Sequence, residues 1–200
     1  GKTTIKLAQR SPHIDFEGVD YSSEMIKLAI ANSKGLSCSW FTESDISTCP
    51  LPVKYDMIYT TRCLINLPSW EGQVDALRNI HQSLREHGKY VMIENFIEGY
   101  DNFNKVRRDW GLPEIPIREH NLYFDQSKLF SYIWEWDLFK VLEEVNISST
   151  YYLMSRIVYS KICEEKGITP DYLDKHHRLA AILPFCGEYG PIKMIVLEKK

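Results

Sequence analysis

The sequence predicts an α/β domain built on a doubly wound, mostly parallel sheet, and three observations carry that prediction. Apolar runs alternate with amphipathic stretches over about residues 1–95; the runs at Asp56–Tyr59 and Tyr90–Ile93 are almost free of polar residues; and a last strand-like run closes the chain at Ile192–Glu198. Strands that are apolar on both faces suit a parallel sheet covered by helices on each side, and strict alternation of strand with helix is the pattern of that architecture.

The elements follow in order. Thr3–Arg10 carries Ile5, Leu7 and Ala8 among polar residues and stops before Ser11-Pro12, which predicts a short amphipathic helix. Ile14–Val19 reads as a strand. Asp20-Tyr21-Ser22-Ser23-Glu24 then turns into a helix containing Met25, Ile26, Leu28, Ala29 and Ile30, with a serine cap, Glu24 at the positive end and Gly35 as the stop. Ser37–Phe41 is a third element, and Glu43–Ser47 a loop. After the strand Asp56–Tyr59, Pro68-Ser69 starts a helix with Val74, Leu77, Ile80 and Leu84 at helical spacing, Arg85 and His87 near its negative end, and Gly88 as its stop.

Beyond Glu94 the pattern changes. Residues 97–140 are rich in aromatic side chains and broken by Gly111, Pro113 and Pro116, which predicts an insertion packed over one end of the sheet within a single domain spanning residues 1–200. Tyr151–Tyr159 reads as a strand and Asp171–Ile182 as a helix, followed by turns at Gly187 and Gly190-Pro191.

The chain has 200 residues, 44% of them hydrophobic, and a formal net charge of -3. With a pI near 6.1 and no run of Lys and Arg, it offers no broad attraction for a phosphate backbone, so nucleic acid is not expected as a partner. The five cysteines are scattered, odd in number and never spaced as CxxC, which predicts reduced thiols and neither a disulfide framework nor a zinc site. No stretch approaches the roughly 20 apolar residues of a membrane span, and the first residues resemble neither a signal nor a transit peptide. The expectation is a soluble, cytoplasmic protein without a membrane partner.

In a doubly wound sheet, ligands bind beyond the carboxyl ends of the strands. Asp20, Asp45 and the pair Thr61-Arg62 fall at such ends. A carboxylate there can accept both hydroxyl hydrogens of a ribose. The stretch GVDYSSEMIKLA resembles the second-strand motif of the class I S-adenosylmethionine-dependent methyltransferases. SDIS is similar to that family's acidic loop, and YDMIYTTRCLINLP followed by a helix and HGKYVMIE resembles its fourth and fifth strands. The resemblance covers about residues 1–95 by motif order and the rest as general architecture.

This resemblance implies a Rossmann-like methyltransferase sheet with an antiparallel last strand and S-adenosylmethionine as cofactor. It implies Asp20 as ribose ligand, Asp45 and Ile46 at the adenine, Thr61 and Arg62 at the methionine portion, and Tyr21 and Met25 in the cofactor-binding set. The family's glycine-rich loop would sit immediately before Thr3, so Gly1 looks like its last glycine and the chain is expected to be amino-terminally truncated.

Methyl transfer requires alignment, exclusion of water and, for a poor nucleophile, removal of a proton. Glu94, at the ligand-binding edge, and His120 are candidate bases, ahead of His81 and His176. Tyr123 shares the His120-Asn121-Leu122-Tyr123 stretch that would face an acceptor. Arg156 interrupts an apolar, aromatic run and needs an anion, either Glu94 or a carboxylate or phosphate of the substrate. The acceptor is expected to be a small molecule, anionic in the second case. His176-His177 are adjacent on a helix and unaccompanied by carboxylates at ligand spacing, so no metal is expected.

Alternatives are a non-catalytic relative that serves as a partner or binding protein, a dinucleotide-dependent oxidoreductase, and a nucleotide hydrolase. The last rests on Gly1-Lys2-Thr3-Thr4, which matches the tail of a phosphate-binding loop.

Overall fold

A computed structural model of the chain describes residues 1–36 and 39–200. Ser37 and Cys38, at the start of the expected third element, lie outside the described residues. Helix α1 (Lys2–Arg10) leads to strand β1 (Phe16–Asp20), helix α2 (Ser23–Asn32) and strand β2 (Ser39–Glu43). Then come β3 (Tyr55–Thr61), α3 (Trp70–Ser83), β4 (Leu84–Asn95), α4 (Ile97–Asp109), α5 (Gln126–Glu135) and β5 (Phe139–Val145). Helices α6 (Ser149–Tyr152) and α7 (Tyr159–Glu165) are joined by a π-helical turn, Leu153–Val158, and α8 (Lys175–Ala180) precedes β6 (Ile192–Lys199).

β1 and β2 form a parallel pair. A four-stranded sheet has the order β3-β4-β6-β5, in which β3 and β4 are parallel and β6 runs antiparallel to both of its neighbours. Glu17 of β1, which accepts from Thr42, also receives the Tyr55 hydroxyl of β3 and so links the two sheets, while Thr4 Oγ1 of α1 meets Tyr59 Oη at 2.9 Å. In β1, a Cβ at Gly18 would fall 2.5 Å from the Phe41 ring, so β2 packs there only against a glycine.

Alternation builds the core. On β4, Tyr90, Met92 and Glu94 point to one buried face, and on β6 so do Ile195 and Leu197. Ala76, Leu77 and Ile80 of α3, Leu129 and Ile133 of α5, and Phe139 of β5 cover the apolar part of that face. A second cluster joins Phe103 of α4, Leu112 and Ile157 of the π-helical turn.

Several elements depart from the sequence reading. α3 ends at Ser83, because Leu84 adopts an extended conformation (φ -87°, ψ 145°) and enters the sheet; Arg85 and His87 therefore lie in β4, and Gly88 is no helix stop. Residues 97–140 are only partly a separate excursion, since α5 and the start of β5 belong to the main core. The connection over 110–125 instead follows the carboxyl ends of β3 and β4: Leu122 N–H donates to the Ile65 carbonyl at 2.7 Å, and Phe124 N–H to the Asn95 carbonyl at 2.9 Å.

Tyr151–Tyr159 is helical, against the strand expected there. Three successive hydroxyls at its start tie the chain to the returning segment. Ser148 Oγ accepts from Ile192 N–H, Ser149 Oγ from Tyr189 N–H and Thr150 Oγ1 from Cys186 N–H, each at 2.9 Å. Long-range hydrogen bonding overrides a local composition that favours a strand. The expected helix 171–182 shortens to α8, where Asp174 caps the end by accepting from His176 N–H at 2.8 Å.

Candidate active site

The carboxyl ends of β1, β2 and β3 place Asp20, Asp45 and Thr61-Arg62 along one edge. Asp20 Oδ1 accepts from Ser22 N–H at 3.0 Å, and Ser22 Oγ in turn caps α2 by accepting from Met25 N–H at 3.3 Å. The helix-terminal role of Asp20 is thus real, yet it uses a single oxygen. Oδ2 makes no hydrogen bond among the described residues and is available to a ligand hydroxyl.

Asp45 Oδ1 accepts from both the amide (2.9 Å) and the hydroxyl (2.7 Å) of Ser47, which fixes the loop after β2. Ile46 packs against the main core, and its carbonyl accepts from Asn79 Nδ2 at 2.7 Å, so this residue presents backbone to the edge while its side chain anchors it. Tyr21 and Met25 are largely exposed beside Asp20. Gly1 caps α1 under close approach: a Cβ there would fall 2.5 Å from that of Ala29.

Glu94 shapes the turn after β3. It is fully buried, and its carboxylate accepts from the amides of Cys63 (3.0 Å), Leu64 (3.2 Å) and Ile65 (3.3 Å). This turn carries Arg62 at φ 50°, in the left-handed region. Arg62 N–H donates to the Ile93 carbonyl at 2.8 Å, and Asn66 Nδ2 to the Arg62 carbonyl at 2.9 Å. Burial raises the Glu94 carboxyl above its usual range, only partly offset by Thr60 and the three amides.

The Cys63 thiol, at the turn after β3, is pushed up to about 12, first by desolvation and then by the charges of Glu94, Asp20 and Asp45.

On the far side of the turn, the loop over residues 118–124 is pinned by Asn121 Nδ2 to Asn66 Oδ1 (2.9 Å) and by Gln73 Nε2 to the carbonyls of Leu64 (3.2 Å) and Leu122 (2.9 Å). It presents Tyr123 edge-on to Tyr100, with ring centroids 5.6 Å apart. Burial raises the Tyr152 phenol, and the charges of Tyr123, Arg156 and Arg62 all reach it. His120 is exposed in the turn before this loop's Tyr123.

Tyr152 and Cys63 escaped the sequence reading. The first stood inside an apparent strand, and the second in the stretch between the fourth strand and the helix that follows it. His176 and His177 diverge, the former pairing with Asp174 and stacking on Tyr159, the latter bonded through Nδ1 to Tyr151 Oη at 3.0 Å. Among the described residues, no group of three or more His, Cys, Asp or Glu could hold a metal, and no helix is long and apolar enough to cross a membrane.

Residues 1–88 match the model of a methyltransferase domain. This match covers the first 88 residues, and the fold is similar to that of class I, S-adenosylmethionine-dependent methyltransferases. Among solved structures, the chain is similar to the N-methyltransferase NodS from Bradyrhizobium japonicum WM9 in complex with S-adenosyl-L-homocysteine (TM-score 0.57, 14% identity, covering 100% of this chain and 72% of that one). It is similar also to a TehB-like SAM-dependent methyltransferase from Corynebacterium glutamicum (TM-score 0.59, 13% identity, 100% and 75% covered). A further likeness is to an S-adenosylmethionine-dependent methyltransferase from Clostridium acetobutylicum (TM-score 0.55, 12% identity, 92% and 75% covered). No curated protein matches the chain in sequence.

Proposed function

We propose that the chain transfers the methyl group of S-adenosylmethionine to a small-molecule acceptor at the carboxyl edge of β1, β3 and β4. The observation that carries this reading is Asp20 at the carboxyl end of β1, whose Oδ1 accepts from Ser22 N–H while Oδ2 makes no hydrogen bond among the described residues and can take a ribose hydroxyl. When bound, the cofactor supplies a carbon already activated for displacement by its positive sulfur.

The chain's own residues then align and enclose. Asp20 Oδ2 accepts from the ribose, with Tyr21, Met25 and Gly1 around it; the loop of Asp45 and Ile46 takes the adenine; and Thr61 and Arg62 take the methionine portion. Glu94 acts as a positioning residue for that last turn, since its oxygens accept from the amides of residues 63–65. Tyr123 closes the site from the pinned loop. An amine acceptor needs no base, and a hydroxyl acceptor would draw on His120 in the same loop.

The test is a thermal-shift series with S-adenosylhomocysteine, NADH and ATP. At about 100 times the Kd, a ligand adds roughly 2.7 kcal/mol, which is about 5–10 °C for a chain of this size. S-adenosylhomocysteine should produce that shift and Asp20→Ala should abolish it. Stabilisation by NADH or ATP alone would overturn the cofactor assignment, and no shift with any of the three would favour a non-catalytic relative.

A further inference from the structure

A cavity of about 360 Å³ lies between α6, α8 and the start of β6. Tyr151 and Tyr152 of α6, Ala180 and Ala181 at the end of α8, Phe185 and Ile192 form most of its wall, and among the described residues no charged side chain lines it. Polar bonds behind the wall hold it in shape. Ser148 Oγ donates to the Ile192 carbonyl and accepts from the Ile192 amide, both at 2.9 Å, which fixes the strand side. Thr150 Oγ1 donates to the Pro184 carbonyl at 2.6 Å and accepts from Cys186 N–H at 2.9 Å, so Phe185 is clamped through the residue on either side of it. Its side chain is nonetheless 57% exposed, standing at the cavity instead of entering the core. An aromatic side chain on a fixed backbone, yet unpacked, leaves apolar surface for a ligand to cover.

Tyr151 adds a polar handle. Its Oη lies 3.0 Å from His177 Nδ1, and His177 shares a face of α8 with Ala180 and Ala181, three and four residues on, so the pair bridges the two helices beside the cavity. His177 is only 5% exposed, and its Nε2 meets no partner among the described residues. Whichever ring nitrogen carries the proton, the phenol oxygen keeps a lone pair: it has two, and His177 engages one of them at most. That lone pair can accept from an N–H or O–H of a ligand.

We infer that this cavity binds a neutral, mainly apolar molecule of one or two rings that donates one hydrogen bond to the Tyr151 hydroxyl. An apolar cavity of about 150 Å³ holds a single benzene ring, so a volume of about 360 Å³ has room for two. A charged group is disfavoured, because nothing at the wall would pair it and burying an unpaired ion is costly. The site stands apart from the methyl-transfer edge, since none of its wall residues is among those assigned to the cofactor.

Calorimetric titration of the full chain with indole, and with indoleacetate as its anionic counterpart, tests the assignment. Indole should saturate a single site with a Kd at or below about 1 mM, and indoleacetate should bind at least about tenfold more weakly. Ala181→Trp, a change at an exposed wall position, should fill the cavity and abolish indole binding. Tyr151→Phe should weaken it by about three- to tenfold, as expected for the loss of one hydrogen bond. Circular dichroism and the thermal midpoint show whether each variant is folded. No saturable binding of indole, equal binding of indoleacetate, or undiminished binding in folded Ala181→Trp or folded Tyr151→Phe would overturn the inference.

Discussion

Replacing Glu94 by alanine removes the single acceptor shared by three successive amides, and the structure lets the cost be worked out. Leu64 and Ile65 are fully buried, so water cannot easily take over their N–H groups, whereas Cys63 is exposed and its amide can be hydrated. Two stranded amides cost about 1–3 kcal/mol each, and the lost methylene packing adds roughly 1 kcal/mol. Relief of the buried carboxylate offsets part of this, which leaves about 3–5 kcal/mol. Against a typical stability of about 5–15 kcal/mol, that is a large fraction. With a urea slope near 2 kcal/mol per molar, the midpoint should fall by roughly 2 M.

Glu94→Gln keeps one acceptor oxygen and the side-chain volume, so its loss should be about 1–2 kcal/mol. The two variants also separate the charge from the contacts. Because the folded carboxyl is raised above its unfolded value, its contribution is fully present below the unfolded pKa of about 4.3 and is lost as pH rises through the folded value. Wild-type stability should therefore decline over that window, above about pH 4.3, and Glu94→Gln should flatten the decline. A loss below about 1 kcal/mol in Glu94→Ala would refute the reasoning, since it would mean that the amides of the turn do not depend on this carboxylate.

Two further outcomes are expected. Gly99→Ala puts a Cβ 2.3 Å from the Gly190 carbonyl oxygen, a backbone atom that cannot swing aside, so thermal unfolding should report a destabilisation of about 2–4 kcal/mol, far beyond a surface glycine change. Cys63 should react with iodoacetamide at pH 8 much more slowly than an ordinary thiol, because desolvation and neighbouring carboxylates hold its thiol above the usual range; mass spectrometry of the labelled peptide reads this directly.

The sequence by itself determined the alternation of strand and helix up to Ile93, the serine caps of α2 and α3 and the strand-end positions of Asp20, Asp45 and Arg62. These follow from short-range rules: side-chain period, capping chemistry and the apolar runs of covered strands. Only the tertiary structure decided three other things. Tyr151–Tyr159 became helical because Ser148, Ser149 and Thr150 bond to a segment about 40 residues away, a contact that no local window contains. Glu94 found its partners in the amides of residues 63–65, because the turn after β3 folds back onto it from 31 positions earlier in the chain. Arg156 lost one of its two candidate partners by the same event. Local chemistry names the residues that can ionise or bond, but the partner each of them meets is set by chain return, and a charge's role follows from its partner.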